Sequence, residues 1–322
     1  MEVKYSGHQP QFIMLVGLPG SGKSTYIKQY YPNTKVHSSD AIREELSGDV
    51  NNQDINKRVF ETLHRRVKED LRSGIDCCYD ATNISWKRRK AFLQELNGID
   101  CLKYCIVIAT PFENCLQQND SRERNVPYEV IERMYKNFDI PWYNEGWDSI
   151  FIAYTNNNYH NGYGHWSQFL FDVLDFDQES KWHSETLGEH CRKCVEYVLQ
   201  NSKELNKLNE AETLVAAALH DCGKPFVKDF KDSRGNDSEY AHYYNHENVG
   251  CYNSLFYEKD EGTDSLLVSA LIRYHMIPHF FKDWKQKTID KYEKEFTTHK
   301  YLREMEFYKA LKILHSGDKN AH

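Results

Sequence analysis

The sequence lacks an excess of positive charge: 41 Lys and Arg stand against 48 Asp and Glu, a net of −7 over 322 residues. A sequence-independent grip on long nucleic acid spread over the whole surface is thereby excluded, while a local basic groove is not. No apolar run approaches the roughly 20 residues that span a bilayer, which argues against a membrane protein. The stretch MEVKYSGHQPQF has no signal-peptide pattern, so the expectation is a cytoplasmic protein. Cysteine occurs nine times without the spacing of a disulfide framework, and the pairs Cys77/Cys78 and Cys191/Cys194 do not make a zinc ribbon. Reduced thiols, several of them small core residues, are the reading. Histidine is scarce early: only His8, His37 and His64 precede residue 156, whereas 12 of the 15 follow. That asymmetry points to two chemistries in one chain. The length predicts two domains, at roughly 100 to 200 residues each. Charge divides too, 20 basic and 21 acidic side chains in the first 155 residues against 21 and 27 in the rest, so the first part is the better holder of a polyanion.

The run QFIMLVG is short and apolar and leads into a glycine-rich turn, which reads as a buried strand entering a loop. Further apolar runs at 77–79, 102–109 and 150–154 alternate with amphipathic stretches at 56–71, 86–96 and 127–138. This alternation predicts an α/β domain built on a parallel sheet with flanking helices over residues 1–155. The composition then changes to NNNYHNGYGHW, taken as the start of a linker over 156–180. Beyond it, segments at 187–199, 211–220, 246–256, 265–275 and 302–314 have helical length and spacing without convincing strands. An all-α second domain over 181–322 is expected.

GLPGSGKST, Gly17 to Thr25, fits G-x-x-x-x-G-K-[ST] between a predicted strand and a predicted helix. The backbone of Gly17, Gly20, Ser21 and Gly22 can turn its N–H groups inward around phosphate oxygens, and the helix that follows adds its positive end. Lys23 reaches the β and γ phosphates of ATP or another NTP, and the Ser24 hydroxyl is the expected ligand of Mg²⁺. Thr25 completes the nucleotide-binding loop and caps or packs. In VHSSDAIREEL, Asp40 and Arg43 lie three apart at a helix opening, so one carboxylate could take the proton of an attacking hydroxyl while the guanidinium grips an acceptor phosphate. The plainer alternative is an N-cap Asp beside a solvated Arg. YDATNISWKRRK places Asp80 at a strand end, suited to orienting Mg²⁺ or its water, and follows it with Asn83 and the run Lys87, Arg88, Arg89, Lys90. Such a run is more often a solvated helix face than a phosphate contact. NDSRERNVP supplies Arg122 and Arg124, either of which could act on the transferring group as an arginine finger does.

In this order, GLPGSGKST, SSDAIREEL, DATNISWKRR and NDSRERNVP resemble the P-loop kinase domain of the polynucleotide 5′-kinases of phage and bacterial end-healing enzymes. The resemblance covers about the first 155 residues. It implies Asp40 as general base for a 5′-hydroxyl, Arg43 on the acceptor phosphate and Arg122 on the donor, with Arg124 as the alternative lid arginine. Related small-molecule kinases share much of the motif order.

In the second part, TLGEHCRKC places His190 on a helix, LVAAALHDCGKPF sets His220 beside Asp221 at the end of an apolar helix, and NHENVG, LIRYHMIPH and ALKILHSGDKNAH add His246, His275, His279 and Asp318. An adjacent His and Asp at a buried helix end are costly unless paired or bound to metal. Lys224, three residues on, can neutralise a phosphate. A lone His here would more often be a satisfied core residue; the set is harder to dismiss. The series H…HD…H…H…D and its flanking words resemble the HD phosphohydrolase superfamily from about residue 183 onward. The resemblance implies a first metal on His190, His220, Asp221 and Asp318, with His246 and His275 at a second metal or on substrate phosphate and His183 and His279 assisting. Mixed imidazole and carboxylate ligands suit Mn, Fe, Co, Ni or Zn.

A 5′-kinase joined to a metal phosphohydrolase implies an enzyme that heals broken RNA, or DNA, phosphorylating 5′-hydroxyl ends and removing a 3′-phosphate or 2′,3′-cyclic phosphate. Polynucleotide ends and a separate ligase are then its partners, with no membrane involved. Known HD-type polynucleotide kinase and phosphatase enzymes pair the same modules in the opposite order. Two alternatives stay open: a nucleoside or sugar kinase fused to a nucleotidase, and a nucleotide-sensing regulatory module. Asp40 argues against the last, since a switch needs no carboxylate poised over the γ-phosphate.

Overall fold

The structure is a computed structural model that describes residues 9–122, 124–155, 163–182 and 184–321. His183 lies outside these residues. The chain divides into two compact units, Met1–Pro127 with Pro141–Thr155, and Tyr128–Ile140 with Asn156–His322. The division between them falls after Thr155, apart from the stretch 128–140. The expectation of an uninterrupted first domain differs from it at 128–140.

The first unit is a five-stranded parallel sheet of β1 (Gln11–Val16), β2 (Lys35–Ser38), β3 (Cys77–Asp80), β4 (Leu102–Ala109) and β5 (Ser149–Tyr154), in the order β2-β3-β1-β4-β5. Central β1 is apolar from Phe12 onward because helices cover both faces of a parallel sheet; Phe12 to Val16 are at most 1% exposed. Its helices are α1 (Lys23–Tyr30), α2 (Ser39–Ser47), α3 (Asn56–Arg72), α4 (Trp86–Glu95) and α5 (Phe112–Asp120). β2 was not expected from its sequence: KVHS is a polar edge strand held to β3 by main-chain pairing, His37 opposite Tyr79.

Within the basic run on α4, Lys87 and Arg88 lie on a solvated face as expected, whereas Arg89 turns inward. Arg89 is 1% exposed, its Nε and Nη2 donate to Glu145 at 2.8 and 2.6 Å, and its Nη1 donates to the Asn83 carbonyl at 2.8 Å. Asn83 in turn donates to the Leu15 carbonyl at 2.8 Å, so the buried pair braces the turn that follows β3.

The second unit is helical: α6 (Tyr128–Lys136), α7 (Gln168–Asp172), α8 (Leu187–Asn201), α9 (Lys207–Leu219), α10 (Lys224–Val227), α11 (His246–Asn253), α12 (Ser265–Tyr274), α13 (Gln286–Thr297), α14 (Lys300–Glu304) and α15 (Phe307–Asn320). A short antiparallel hairpin, β6 (Asp229–Lys231) with β7 (Asp237–His242), is an addition to the helical expectation. Its residues are mostly exposed and give no apolar run to read. The helix expected at 302–314 is two, α14 and α15, parted where Glu306 adopts φ 46°. No helix among the described residues is long and apolar enough to cross a membrane.

Candidate active sites

The first site grows from the turn after β1. Gly20 and Gly22 have φ of 81° and 89°, and a Cβ on Gly20 would lie 2.1 Å from the Cys115 carbonyl oxygen, so only glycine fits there. The loop delivers α1 with Gly22 as its N-cap. Lys23 Nζ donates to the Gly17 and Leu18 carbonyls at 3.0 and 2.8 Å, and Ser21 is fully buried at the loop's centre. Burial pushes the Lys23 amine down to about 8, with Asp80 pulling the other way. Ser24 Oγ donates to Asp80 Oδ2 at 3.1 Å, which sets the hydroxyl and carboxylate side by side as a Mg²⁺ pair requires. Burial raises the Asp80 carboxyl above its ordinary range, against Lys23 and the Ser24 bond. Thr25 is exposed on the first turn of α1.

Asp40, on the first turn of α2, is gripped from both sides. Arg43 Nη1 donates to Oδ1 at 2.7 Å and Arg124 Nη1 donates to Oδ2 at 3.1 Å. Arg43 is 5% exposed, and its Nη2 donates to Asn56 Oδ1 at 2.8 Å. The solvated-arginine alternative for Arg43 therefore falls. Arg124 also donates to Asn51 Oδ1 at 2.8 Å, whereas Arg122 is exposed and its charge is felt at both Lys23 and Asp80. The two lid arginines thus divide, Arg124 toward Asp40 and Arg122 toward the phosphate loop.

The second site is assembled from six residues on five helices. Thr186 opens α8 with a capping box: its Oγ1 accepts from Glu189 N at 3.2 Å and Glu189 Oε2 accepts from Thr186 N at 3.3 Å, which places His190 one turn inside. His220 and Asp221 follow α9, His246 opens α11, His275 follows α12, and Asp318 lies in the last turns of α15. All six are at most 6% exposed. His190 Nε2 lies 3.1 Å from His220 Nε2 and 3.2 Å from Asp318 Oδ1, with Asp221 Oδ2 3.4 Å from His220 Nε2. The other oxygen of Asp221 turns to His246 Nε2 at 3.2 Å and His275 Nε2 at 3.9 Å. Two ligand groups therefore share one carboxylate: His190, His220 and Asp221, and Asp221, His246 and His275.

The donor set fits divalent ions on its own chemistry. In His220, His246 and His275 the Nδ1 donates to the carbonyl three residues earlier, Ala217, Tyr243 and Ile272, at 2.9, 2.8 and 2.6 Å. A carbonyl only accepts, so each ring carries a proton on Nδ1 and leaves Nε2 for the cluster. Burial would lower His220 and His246, but Asp221 raises both above the usual imidazole value, so that a bound ion would displace an Nε2 proton there. Burial would raise Asp221, but Lys224 and His220 hold its carboxyl well below the ordinary range; Asp318 behaves likewise through His190, His220 and His279. Burial, with His220 and His246 alongside, holds His275 well below the usual imidazole value. Two ionised carboxylates facing inward Nε2 atoms call for buried positive charge.

Around this cluster, Lys224 Nζ donates to Asp221 Oδ2 at 2.6 Å and to Gln178 Oε1 at 2.7 Å. His279 Nε2 is 2.8 Å from Asp318 Oδ2 and its ring lies 4.3 Å from that of His315. Glu185 Oε1 approaches His190 Nδ1 at 3.5 Å. Gln178, Glu185 and His315 escaped the sequence reading. Gln178 sits in the stretch taken as linker, and a spacing rule would have found only His315, one helical turn before Asp318.

Comparison with known proteins divides along the same line. Residues 12–141 match the family model described as AAA domain, and residues 187–319 match HD domain. The L-seryl-tRNA(Sec) kinase of Methanococcus maripaludis is 28% identical over 42% of this chain and 55% of its own length. An Acanthamoeba polyphaga mimivirus protein, whose name proposes a bifunctional polynucleotide phosphatase/kinase, is 29% identical over 46% of this chain and 34% of its own. A chain of the solved Pnkp1/Rnl/Hen1 complex is 22% identical, covering 39% of this chain and 44% of that one with a TM-score of 0.32. The chain spans about half or less of these relatives. A P-loop kinase domain implies ATP and Mg²⁺, and an HD domain implies divalent metal. The chain accordingly carries two matches in series, a P-loop kinase fold matched as AAA domain over residues 12–141 and a helical stretch matched as HD domain over residues 187–319.

Proposed function

We propose that the protein heals polynucleotide ends, phosphorylating a 5′-hydroxyl from ATP and removing a 3′-phosphate or 2′,3′-cyclic phosphate. The observation that carries the reading is Asp40, a carboxylate held between Arg43 and Arg124 beside a phosphate loop, in one chain with a cluster centred on Asp221. Asp40, aimed by its two arginines, accepts the proton of the attacking hydroxyl. Arg43 and Asn56 hold the acceptor, and Lys23 with Arg122 neutralises charge on the transferring group. Gly17, Gly20, Ser21, Gly22 and Thr25 complete the nucleotide cradle, and Ser24 with Asp80 holds Mg²⁺. In the second site His190, His220, Asp221 and Asp318 hold one ion, and Asp221, His246 and His275 a second, drawn from Mn, Fe, Co, Ni or Zn. Ions bound there polarise phosphate oxygens and activate water. Lys224, fixed by Gln178, neutralises the phosphate, and His279, bonded to Asp318, orients that ligand. The end-healing sequence motifs and the mimivirus relative's name support a polynucleotide substrate. RNA ends, a ligase acting afterwards and a cytoplasmic site of action complete the reading.

A second reading, a hydroxyl acceptor other than a 5′ end, is favoured by the seryl-tRNA kinase relative. The test is incubation with ATP, Mg²⁺ and Mn²⁺ and an RNA oligonucleotide bearing a 5′-hydroxyl and a 3′-phosphate, both ends being read by mass. Gain of the 5′-phosphate with loss of the 3′-phosphate supports end healing. An unchanged oligonucleotide under conditions where ATP binds would sink it.

A further inference from the structure

The AAA domain match runs to residue 141, yet the stretch Tyr128–Ile140 packs within the second unit. It lies along α11. Tyr135 Oη donates to Asn253 Oδ1 at 2.6 Å and its ring meets Tyr252 edge-on at 5.6 Å, while Phe138 meets the same tyrosine at 4.7 Å. Ile131, Phe138 and Ile140 are fully buried. The stretch then presents Asp139, whose Oδ1 accepts from Arg273 Nε and Nη2 at 2.8 and 2.6 Å. Asn248 Nδ2 donates to the Phe138 carbonyl at 2.9 Å, and Arg273 Nη1 lies 3.9 Å from Glu247 Oε1. Arg273 stands two residues before His275, and Glu247 directly follows His246.

We propose that Asp139, acting through Arg273, is a positioning residue for the His246 and His275 side of the metal cluster, so that a stretch matched to the kinase family serves the phosphohydrolase. This rests on the two-ion reading above. The two imidazoles come from the start of α11 and the end of α12, and their Nε2 atoms approach to 3.4 Å only if those helix ends are fixed against each other. Asp139 fixes them from a third element, because its carboxylate takes two bonds from α12 while the adjoining Phe138 carbonyl takes one from α11. The Arg273 side chain is 16% exposed. Without Asp139 its charge is left mostly buried with Glu247 as partner, which draws the start of α11 toward α12 and His246 with it. His190 and Asp318 stand on α8 and α15 and do not depend on this clamp.

The experiment is Mn²⁺ uptake by the full chain, counted by elemental analysis after desalting and titrated by Mn²⁺ spin resonance, for wild type, Asp139→Asn and Asp139→Ala. The isosteric Asn variant carries the test if the Ala variant fails to fold, as judged by circular dichroism. The expected result is two ions in wild type and one in the variants, with affinity for the second ion weaker by about 10- to 100-fold, as for other residues that orient ligands. Saturating Mn²⁺ should then restore phosphate-ester turnover with KM unchanged, which a general loosening of the domain would not allow. Two ions held as tightly as in wild type, or joint loss of both, would overturn the proposal. A wild-type chain that takes one ion sinks the two-ion reading and this inference with it. A wild type that takes two ions and cleaves no ester sinks only the phosphohydrolase reading, and the variants' uptake still decides the role of Asp139.

Discussion

Lys23 is the residue on which ATP affinity and pH meet. Burial pushes its amine from 10.5 to about 8. Between those values the unfolded chain binds the extra proton, so this group favours the folded chain more as pH rises. Nucleotide binding has the opposite sign, since polyphosphate selects the charged amine. ATP affinity should therefore fall above pH 8, by up to about tenfold per unit, with proton uptake on binding; calorimetry in two buffers of different ionisation enthalpy would detect it, and pH-independent affinity from 7.5 to 9.5 would refute it. At the neighbouring carboxylate, Asp40→Asn should leave ATP binding intact and slow phosphoryl transfer by about 10²- to 10⁴-fold, the range for a lost general base. Single-turnover rates with bound ATP measured separately would decide. Equal loss of binding would mean that Asp40 supports the loop instead.

Among elements, the braced turn after β3 lends itself to a stability test. Arg89→Ala leaves Glu145, 5% exposed, without the partner that donates to both its oxygens, and should cost about 3–5 kcal/mol in urea unfolding. A loss below 1 kcal/mol would show that water replaces the guanidinium. Elements built on local pattern were readable in advance: the apolar run of β1, the loop that needs Gly20 and Gly22, and the helix that carries His190. The histidines that the fold brings together around Asp221 were readable because each sits in a short, distinctive phrase. What escaped was set by partners far off in sequence. Arg89 looks like any member of a basic run until Glu145, 56 residues on, takes it inside. Asp139 meets Arg273 across 134 residues, and nothing in either neighbourhood announces the other. β2 is held by hydrogen bonds to β3, which leave no apolar signature in KVHS.

For the molecule as a whole, the two sites call on different residues and should fail separately. Lys23→Ala should remove 5′-phosphorylation while sparing ester hydrolysis, and Asp221→Ala should do the reverse; joint loss in either variant would mean that the sites are not independent. All nine cysteines are buried thiols, none of them in a disulfide. Burial pushes thiols such as Cys78 and Cys191 up to about 12, so the folded chain should react slowly with a thiol reagent at neutral pH and release nine equivalents on denaturation. Rapid labelling of several thiols without denaturant would contradict the packing described.

The placement of Tyr128–Ile140 also bears on how such a gene can be cut and rejoined. A crossover at residue 155 would part the two family matches neatly on paper, yet it would send α6, with its buried Ile131 and Tyr135, off with the wrong partner and strip α11 of its covering. Exchange of the hydrolase for another module would have to carry this inserted helix along or replace it with a donor of the same shape. Descendants of the fusion should therefore inherit both halves together more readily than either alone.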